Sequence, residues 1–589
     1  MSSPQEATPQ FGLNGDYDEE DALAAAIAMS LEQPNQSPPL PQSATTNLTE
    51  EQPTPASLPT APNSFGSLAL DRKKMEAERL ARQRKRSAVE AGLETSPSRH
   101  RPTPPAPSAS RLSHASAVAS TTRTSSLPFS KGVVKRTWAL GQPQTEQDIK
   151  IEDILMRDEL ELAVISSFQW DDTWLLSKID ISRTKLILVA FANDEAHQRE
   201  MAANIPSSQI RFCFPPMSGG GHMHSKLQLL KFRRHLRIVV PSGNLVPYDW
   251  GETGVLENMV FIIDLPLLET AGATAGAKPS HPTTPFGTEL RRFLRALGLD
   301  EGLVLSLDKY DFTETGQYGF VHSISGSHTD SASQETGYCG LGSVVRQLGL
   351  NTVQPVDIHY IASSLGSLDE KFLTAMYYAC QGDSGMKEYQ DRQSRSRTKK
   401  TKNAGASSEA SSSVLLKDRF RIFFPSESTV ARSKGGKTAA GTICFQERWW
   451  NSPTFPRQLL RDAVNIRQGL LMHSKMLFVR TVSRDADSPA WAYVGSANLS
   501  ESAWGRLVKD RRTGLAKMSC RNWECGVLVP VTLSRQSNSG DIVDDGGLEV
   551  FKGKIPVPME LPGEAFSAAT TQPTKQQRQP WFFQAHGAY

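Results

Sequence analysis

At 589 residues the chain has room for about three or four domains of ordinary size or for one large two-lobed enzyme, and 38% hydrophobic with 22% charged residues suits a chain that buries a sizeable core. A net charge of +3 is too small to argue for nucleic acid by itself, so any such affinity must come from local patches. No stretch approaches the roughly 18 to 20 apolar residues of a membrane span, the N-terminus has no basic region leading into an apolar one, and the six cysteines form no CxxC pair. These features together predict a soluble chain of a reducing, intracellular compartment.

Residues 1–131 read as a disordered tail, rich in Pro, Ser, Thr and Gln and poor in large apolar side chains. Two islands interrupt it. Within 17–34, the acidic run Asp18 to Asp21 precedes the helix formers Ala22 to Glu32, so the acids stand where the helix dipole favours them. Within 71–88, Arg72 to Arg86 reads as a solvated basic helix that suits a nuclear localisation signal or a nonspecific DNA-binding arm.

From about Gly132 the composition becomes that of a folded domain. Apolar runs bounded by turn residues predict strands over Lys185–Phe191, Gln209–Phe214, Leu227–Phe232, Leu236–Pro241 and Met259–Leu265. Helices are expected over Ile151–Phe168 and Thr288–Leu297. A second series of strands follows over Asp357–Ile361, Arg419–Phe424, Met476–Arg480, Trp491–Val494 and Gly526–Pro530. This alternation predicts an α/β architecture of two related lobes, 132–350 and 351–589, each a mixed β-sheet flanked by helices. Ala271–Pro285, Ser323–Thr336 and the basic Ser394–Ser413 read as flexible surface insertions.

The tripeptide His-Ser-Lys occurs at His224-Ser225-Lys226 and again at His473-Ser474-Lys475, and Asn-Leu follows each copy at Asn244 and Asn498. On an extended strand, side chains two apart share a face, so each His-x-Lys pair can aim an imidazole and an ammonium into one cleft. Two such strands assemble two histidines, two lysines and two amides. That set suits a phosphoryl group: one imidazole attacks, the other moves a proton, and four donors meet the equatorial oxygens. Glu257 and Glu524 stand in matching places after each asparagine motif and are expected to orient the imidazoles from behind. His222 makes His-x-His with His224, a spacing open to zinc, but Lys226 on the same face opposes a dication and no metal or cofactor is expected. Phe212 and Phe214, before Gly219-Gly220-Gly221, are candidates for stacking on a base or for the core.

These motifs resemble the phospholipase D superfamily, whose paired HKD motifs form one site across a pseudo-twofold interface. The superfamily's usual aspartate five residues after the lysine is replaced here by Lys231 and Arg480. That departure is shared by the tyrosyl-DNA phosphodiesterase 1 family. Gly495-Ser496-Ala497-Asn498-Leu499-Ser500 with Ala503-Trp504-Gly505, and Ser242-Gly243-Asn244-Leu245 with Asp249-Trp250, are similar to its asparagine motifs. Ser363 to Leu368 is similar to a DNA-contacting stretch, which makes Ser364 a candidate backbone contact, and Pro580-Trp581 fits the same family. The resemblance covers about 135–589.

It implies DNA repair by metal-independent hydrolysis of a 3′-phosphotyrosyl bond between DNA and a topoisomerase-derived tyrosine, or of other blocked 3′ ends. His224 would be the nucleophile, forming a covalent phosphohistidine, and His473 the general acid and base. Lys226, Lys475, Asn244 and Asn498 would hold the non-bridging oxygens. The substrate would place the protein in the nucleus. A phospholipase D-type lipid hydrolase or less selective nuclease is the alternative activity, and a ubiquitin-binding scaffold with an inactive domain is the alternative class. The acidic helix resembles a ubiquitin-interacting motif, in which Leu23, Ala26, Ile27 and Ser30 would touch ubiquitin.

Overall fold

The computed structural model of the chain describes residues 127–203, 205–218, 220–268, 283–398, 416–482, 489–531, 547–566 and 578–583. The islands at 17–34 and 71–88, nearly all of the tail and most of two expected insertions, Ala271–Pro285 and Ser394–Ser413, lie outside the described residues.

Two seven-stranded arrays repeat one another. The first comprises β1 (Val133–Thr137), β2 (Leu162–Ser166), β3 (Lys185–Val189), β4 (Ile210–Cys213), β5 (Gln228–Lys231), β6 (His235–Pro241) and β7 (Met259–Pro266). The second comprises β8 (Gly319–Ser323), β9 (Val356–Ile361), β10 (Phe420–Phe424), β11 (Leu460–Asp462), β12 (Met476–Thr481), β13 (Ala490–Gly495) and β14 (Glu524–Val531). Their spatial orders are β1-β7-β6-β5-β2-β3-β4 and β8-β14-β13-β12-β9-β10-β11, and Asp148–Ile149 is added at the β1 edge. Directions agree as well: the last two pairings of each array are parallel and the other four antiparallel.

This correspondence corrects three sequence expectations. The helix begun at Ile151 ends at Leu155, where Met156 turns left-handed at φ 42°. The chain then runs into β2, because the β-branched Val164 and Ile165 have β3 and β5 to pair with. The lobe boundary is not at 350, since β8 is the counterpart of β1 and already pairs with β14 from Gly319 onward. Ser323–Thr336 is not a loose insertion: Gly326–His328 adds to Ala516–Cys520 and Arg506–Lys509 in a small sheet.

Strand burial explains why the central strands read as continuous apolar runs rather than alternating ones. Along β7, Val260 and Ile262 face a core under the first lobe's outer helices, while Phe261 and Ile263 face a core shared with the second lobe. That shared core also takes Phe478, Val494 and Val527 from the second sheet. The second sheet's other face, with Ile358, Tyr360 and Leu477, packs on the helices Gly337–Gln347 and Glu370–Cys380. Truncating a side chain in the shared core, such as Phe261, costs about 3–5 kcal/mol by loss of burial and cavity formation, and so loosens both lobes. Among the described residues no helix is long and apolar enough to cross a membrane.

Candidate active site

Each His-Ser-Lys segment is the extended lead-in to a central strand rather than part of it: Lys226 is two residues before β5 and Lys475 directly precedes β12. Both lead-ins are held by the opposite lobe. The His224 N–H donates to the Trp523 carbonyl at 3.1 Å, and the His473 N–H donates to the Glu257 carbonyl at 2.9 Å. Leu471–Met472 further pairs in parallel with Leu256–Glu257. The two motifs are thereby brought to one cleft at the seam.

Carboxylates cross the seam in the same way. Nδ1 of His224, from the first lobe, faces Glu524 Oε2 at 2.9 Å, and Nδ1 of His473, from the second, faces Asp249 Oδ1 at 2.9 Å. An acceptor at Nδ1 selects the tautomer that leaves the Nε2 lone pair to a reactant. Burial pushes both imidazoles down to about 4 against the pull of those carboxylates, so both are neutral at pH 7 without an anion present. Burial would raise Asp249, but the neighbouring His473 and Lys475 hold its carboxyl below the usual range.

The lysines are almost wholly enclosed. Lys226 Nζ donates to the His224 carbonyl at 2.8 Å, and Lys475 Nζ donates to the His473 and Ser242 carbonyls at 2.6 and 3.2 Å. Burial pushes Lys226 down to about 8 and Lys475 well below its ordinary value, with Lys226 adding to the latter. Two buried ammonium groups, one of which depresses the other, are relieved by a nearby anion.

Asn244 and Asn498 sit in matching backbone cradles. Asn498 Oδ1 accepts from the Ser364 N–H at 3.0 Å and the Ser363 hydroxyl at 3.1 Å, and Asn244 Oδ1 accepts from the Gln169 N–H at 3.4 Å. Each carboxamide is thus turned so that its NH2 can serve as the donor.

The expectation for Glu257 is overturned. Its side chain pairs with Arg467 and does not face His473; only its carbonyl does. The reason is a one-residue shift in the repeat. Ser242 exchanges hydrogen bonds with Met259 as Ser496 does with Cys525, so the counterpart of Glu524 is Asn258 and that of Glu257 is Trp523. Asn258 instead donates to Asp249 Oδ1 at 3.1 Å and accepts from the Ser242 hydroxyl. The first lobe therefore supplies its carboxylate from Asp249. That residue lay in the quoted Asp249-Trp250 motif, and only the hydrogen-bonding register separates it from the neighbouring acids.

Around the cleft lie both histidines, both asparagines, His222, Ser364, Gln169 and Asn522, with Phe168, Phe445, Trp449 and Phe583 as the apolar wall. Phe168 packs against the His222 and His224 rings at 5.4 and 5.2 Å between centroids. Phe212 and Phe214 stack on each other against the first lobe's core and do not line the cleft. Asn522 donates to the second oxygen of Glu524 at 3.2 Å, a role that no sequence signal announced.

This geometry can be set beside known proteins. The tyrosyl-DNA phosphodiesterase family matches residues 133–567, which include both His-Ser-Lys segments and both Asn244 and Asn498. Tyrosyl-DNA phosphodiesterase 1 of Arabidopsis thaliana is 24% identical over 400 residues, 64% of this chain and 58% of that protein. The chain thus spans somewhat under three fifths of the length of that relative. The crystal structure of a yeast tyrosyl-DNA phosphodiesterase has 19% identity and a TM-score of 0.48, covering 68% of this chain and 92% of that one. A phosphatidylserine synthase of Haemophilus influenzae has 10% identity and a TM-score of 0.30, covering 64% and 78%. With its paired motifs inside a match that spans most of its length, the chain belongs to the tyrosyl-DNA phosphodiesterase family.

Proposed function

We propose that this chain hydrolyses the 3′-phosphotyrosyl bond between DNA and a topoisomerase-derived tyrosine, and other blocked 3′ ends, without a metal. The observation that carries the reading is the meeting of two imidazoles, each with a carboxylate from the opposite lobe, beside two buried lysines. His224 Nε2 attacks phosphorus as the bond to the tyrosine oxygen breaks, and His473, protonated when the anionic substrate fills the cleft, gives its proton to the departing phenolate. Water then attacks phosphorus and yields its proton to His473, the P–N bond breaks, and a DNA 3′-phosphate leaves.

Lys226, Lys475 and the carboxamides of Asn244 and Asn498 meet the charge on the non-bridging oxygens, which is where transition-state stabilisation is largest. A phenol leaves readily, so one general acid suffices for its departure. The assignment of His224 as nucleophile follows the order of the family's motifs. Ser364, whose N–H already orients Asn498, is the proposed contact to the DNA backbone.

The test is an assay in EDTA on a 3′-phosphotyrosyl oligonucleotide beside phosphatidylcholine. Turnover of the oligonucleotide is expected, and turnover of the lipid alone would establish the phospholipase reading. A covalent DNA adduct trapped in His224→Ala would reverse the two histidine roles.

A DNA substrate places the protein's work in the nucleus. For the acidic helix, the proposed partner is ubiquitin through Leu23, Ala26, Ile27 and Ser30. Labelled ubiquitin should shift with the full chain and lose the shift with Ala26→Arg; no shift with either protein refutes that partner.

A further inference from the structure

The two catalytic loops are held at two points each, and by chemically different devices. The residue whose carbonyl receives the His473 N–H is Glu257, and its carboxylate grips Arg467, six residues upstream on the loop that delivers His473. Arg467 is 9% exposed and crosses the seam to reach three groups of the first lobe: Glu257, Asp148 Oδ1 at 3.2 Å and the Thr137 carbonyl at 3.0 Å. Asp148 is in turn held by Arg136 at 2.8 Å.

The counterpart across the pseudo-twofold is Trp523. Its carbonyl receives the His224 N–H, and its indole N–H donates at 3.0 Å to the Pro216 carbonyl on the loop that delivers His224. One residue therefore fixes both the imidazole's own backbone and the loop before it. In one half the grip is a buried ion pair and in the other a neutral hydrogen bond with an apolar ring.

We propose that Arg467 and Glu257 are positioning residues for the general acid and base, and Trp523 the positioning residue for the nucleophile. This rests on the phosphotyrosyl hydrolase reading and adds the device that separates the two histidines' steps. A buried pair broken by removal of one partner leaves an uncompensated charge, so the loop it anchors moves. A displacement of about 1 Å at a catalytic group can cost on the order of 100-fold in rate. Loosening Arg467 therefore slows phenol protonation and hydrolysis of the phosphohistidine, while loosening Trp523 slows attack.

The experiment compares full-length wild type, R467M, R467K, E257Q and W523F on two 3′-oligonucleotide esters, one of tyrosine and one of p-nitrophenol, whose leaving group needs no proton. In single-turnover burst assays, R467M should release p-nitrophenol within about threefold of the wild-type rate and release tyrosine at least tenfold more slowly. Denaturing gels should show the covalent DNA adduct accumulating. R467K should recover part of the loss, and E257Q should follow R467M. W523F should slow the burst on both esters alike without building up adduct.

Equal slowing of both esters by R467M and E257Q, or a lower melting temperature with no adduct, would overturn the assignment. If R467M does not fold, E257Q, which keeps the side chain's shape, decides the matter. Wild-type inactivity on both esters would instead sink the hydrolase reading.

Discussion

The two halves of the cleft share a strand plan but not a chemistry. In the second lobe the position after Trp523 is Glu524, which faces His224 directly and is backed by Ser496 and Asn522. In the first lobe the matching position is Asn258, and the carboxylate has moved to Asp249, which Asn258 steadies. A repeat that kept its backbone hydrogen bonds while exchanging its acids has made two imidazoles with separate neighbours out of one motif. The seam can thus assign different work to His224 and His473 although their tripeptides are identical.

The strongest way to break the comparison is to remove each histidine. His224→Ala is expected to reduce phosphotyrosyl hydrolysis to background with no adduct, whereas His473→Ala should lose about 10²–10⁴-fold and accumulate adduct. Denaturing gels of radiolabelled DNA read both, and symmetrical behaviour would erase the proposed division of labour.

Next in size are the carboxylates. Glu524→Gln and Asp249→Asn should each cost about 10–100-fold, as loss of a partner behind an imidazole does at other sites, while Asn258→Ala, acting only through Asp249, should cost less than Asp249→Asn. The pH profile sharpens the point. Glu524 raises His224 against the larger effect of burial, so Glu524→Gln should move the acid limb of kcat/KM to lower pH still. At the other end, Lys226 loses its proton as pH rises through about 8, and kcat/KM should fall there.

The lobes differ in stability terms as well. Glu257→Ala leaves Arg467 with Asp148 as its remaining carboxylate across the seam and should cost up to about 3–5 kcal/mol by chemical denaturation. The smallest effect concerns the two histidines themselves. Their folded values near 4 lie below the ordinary 6.5, so the unfolded chain binds more protons between those values. Stability should therefore decline as pH falls from 6.5 toward 4, a drift in melting temperature that His473→Asn should lessen.

Much of this was legible before the structure. Strands such as Met259–Pro266 and Met476–Thr481 announced themselves because both faces are buried and every residue is apolar or nearly so. The doubled tripeptide and the two asparagines pointed to one cleft because residue type and repeat agreed. What could not be read was the register of the second repeat. Glu257 and Glu524 look alike as letters, yet Glu257 is one position out of step and spends its charge on Arg467, a partner 210 residues away. Val164 and Ile165 were likewise placed in a helix because nothing local shows that β3 and β5 wait on either side. Both errors concern partners far along the chain, which local periodicity does not encode.

The crossing of carboxylates over the seam has a consequence for when the cleft becomes complete. A chain emerging from the ribosome completes the first lobe, with His224 and Lys226 in place, long before Glu524 and Trp523 exist. Until the last strand of the second sheet docks, His224 has neither its acid nor the anchor of its loop. Under the proposed assignment, attack by His224 is thus held back until synthesis reaches that strand, and the order of the chain acts as a safety catch.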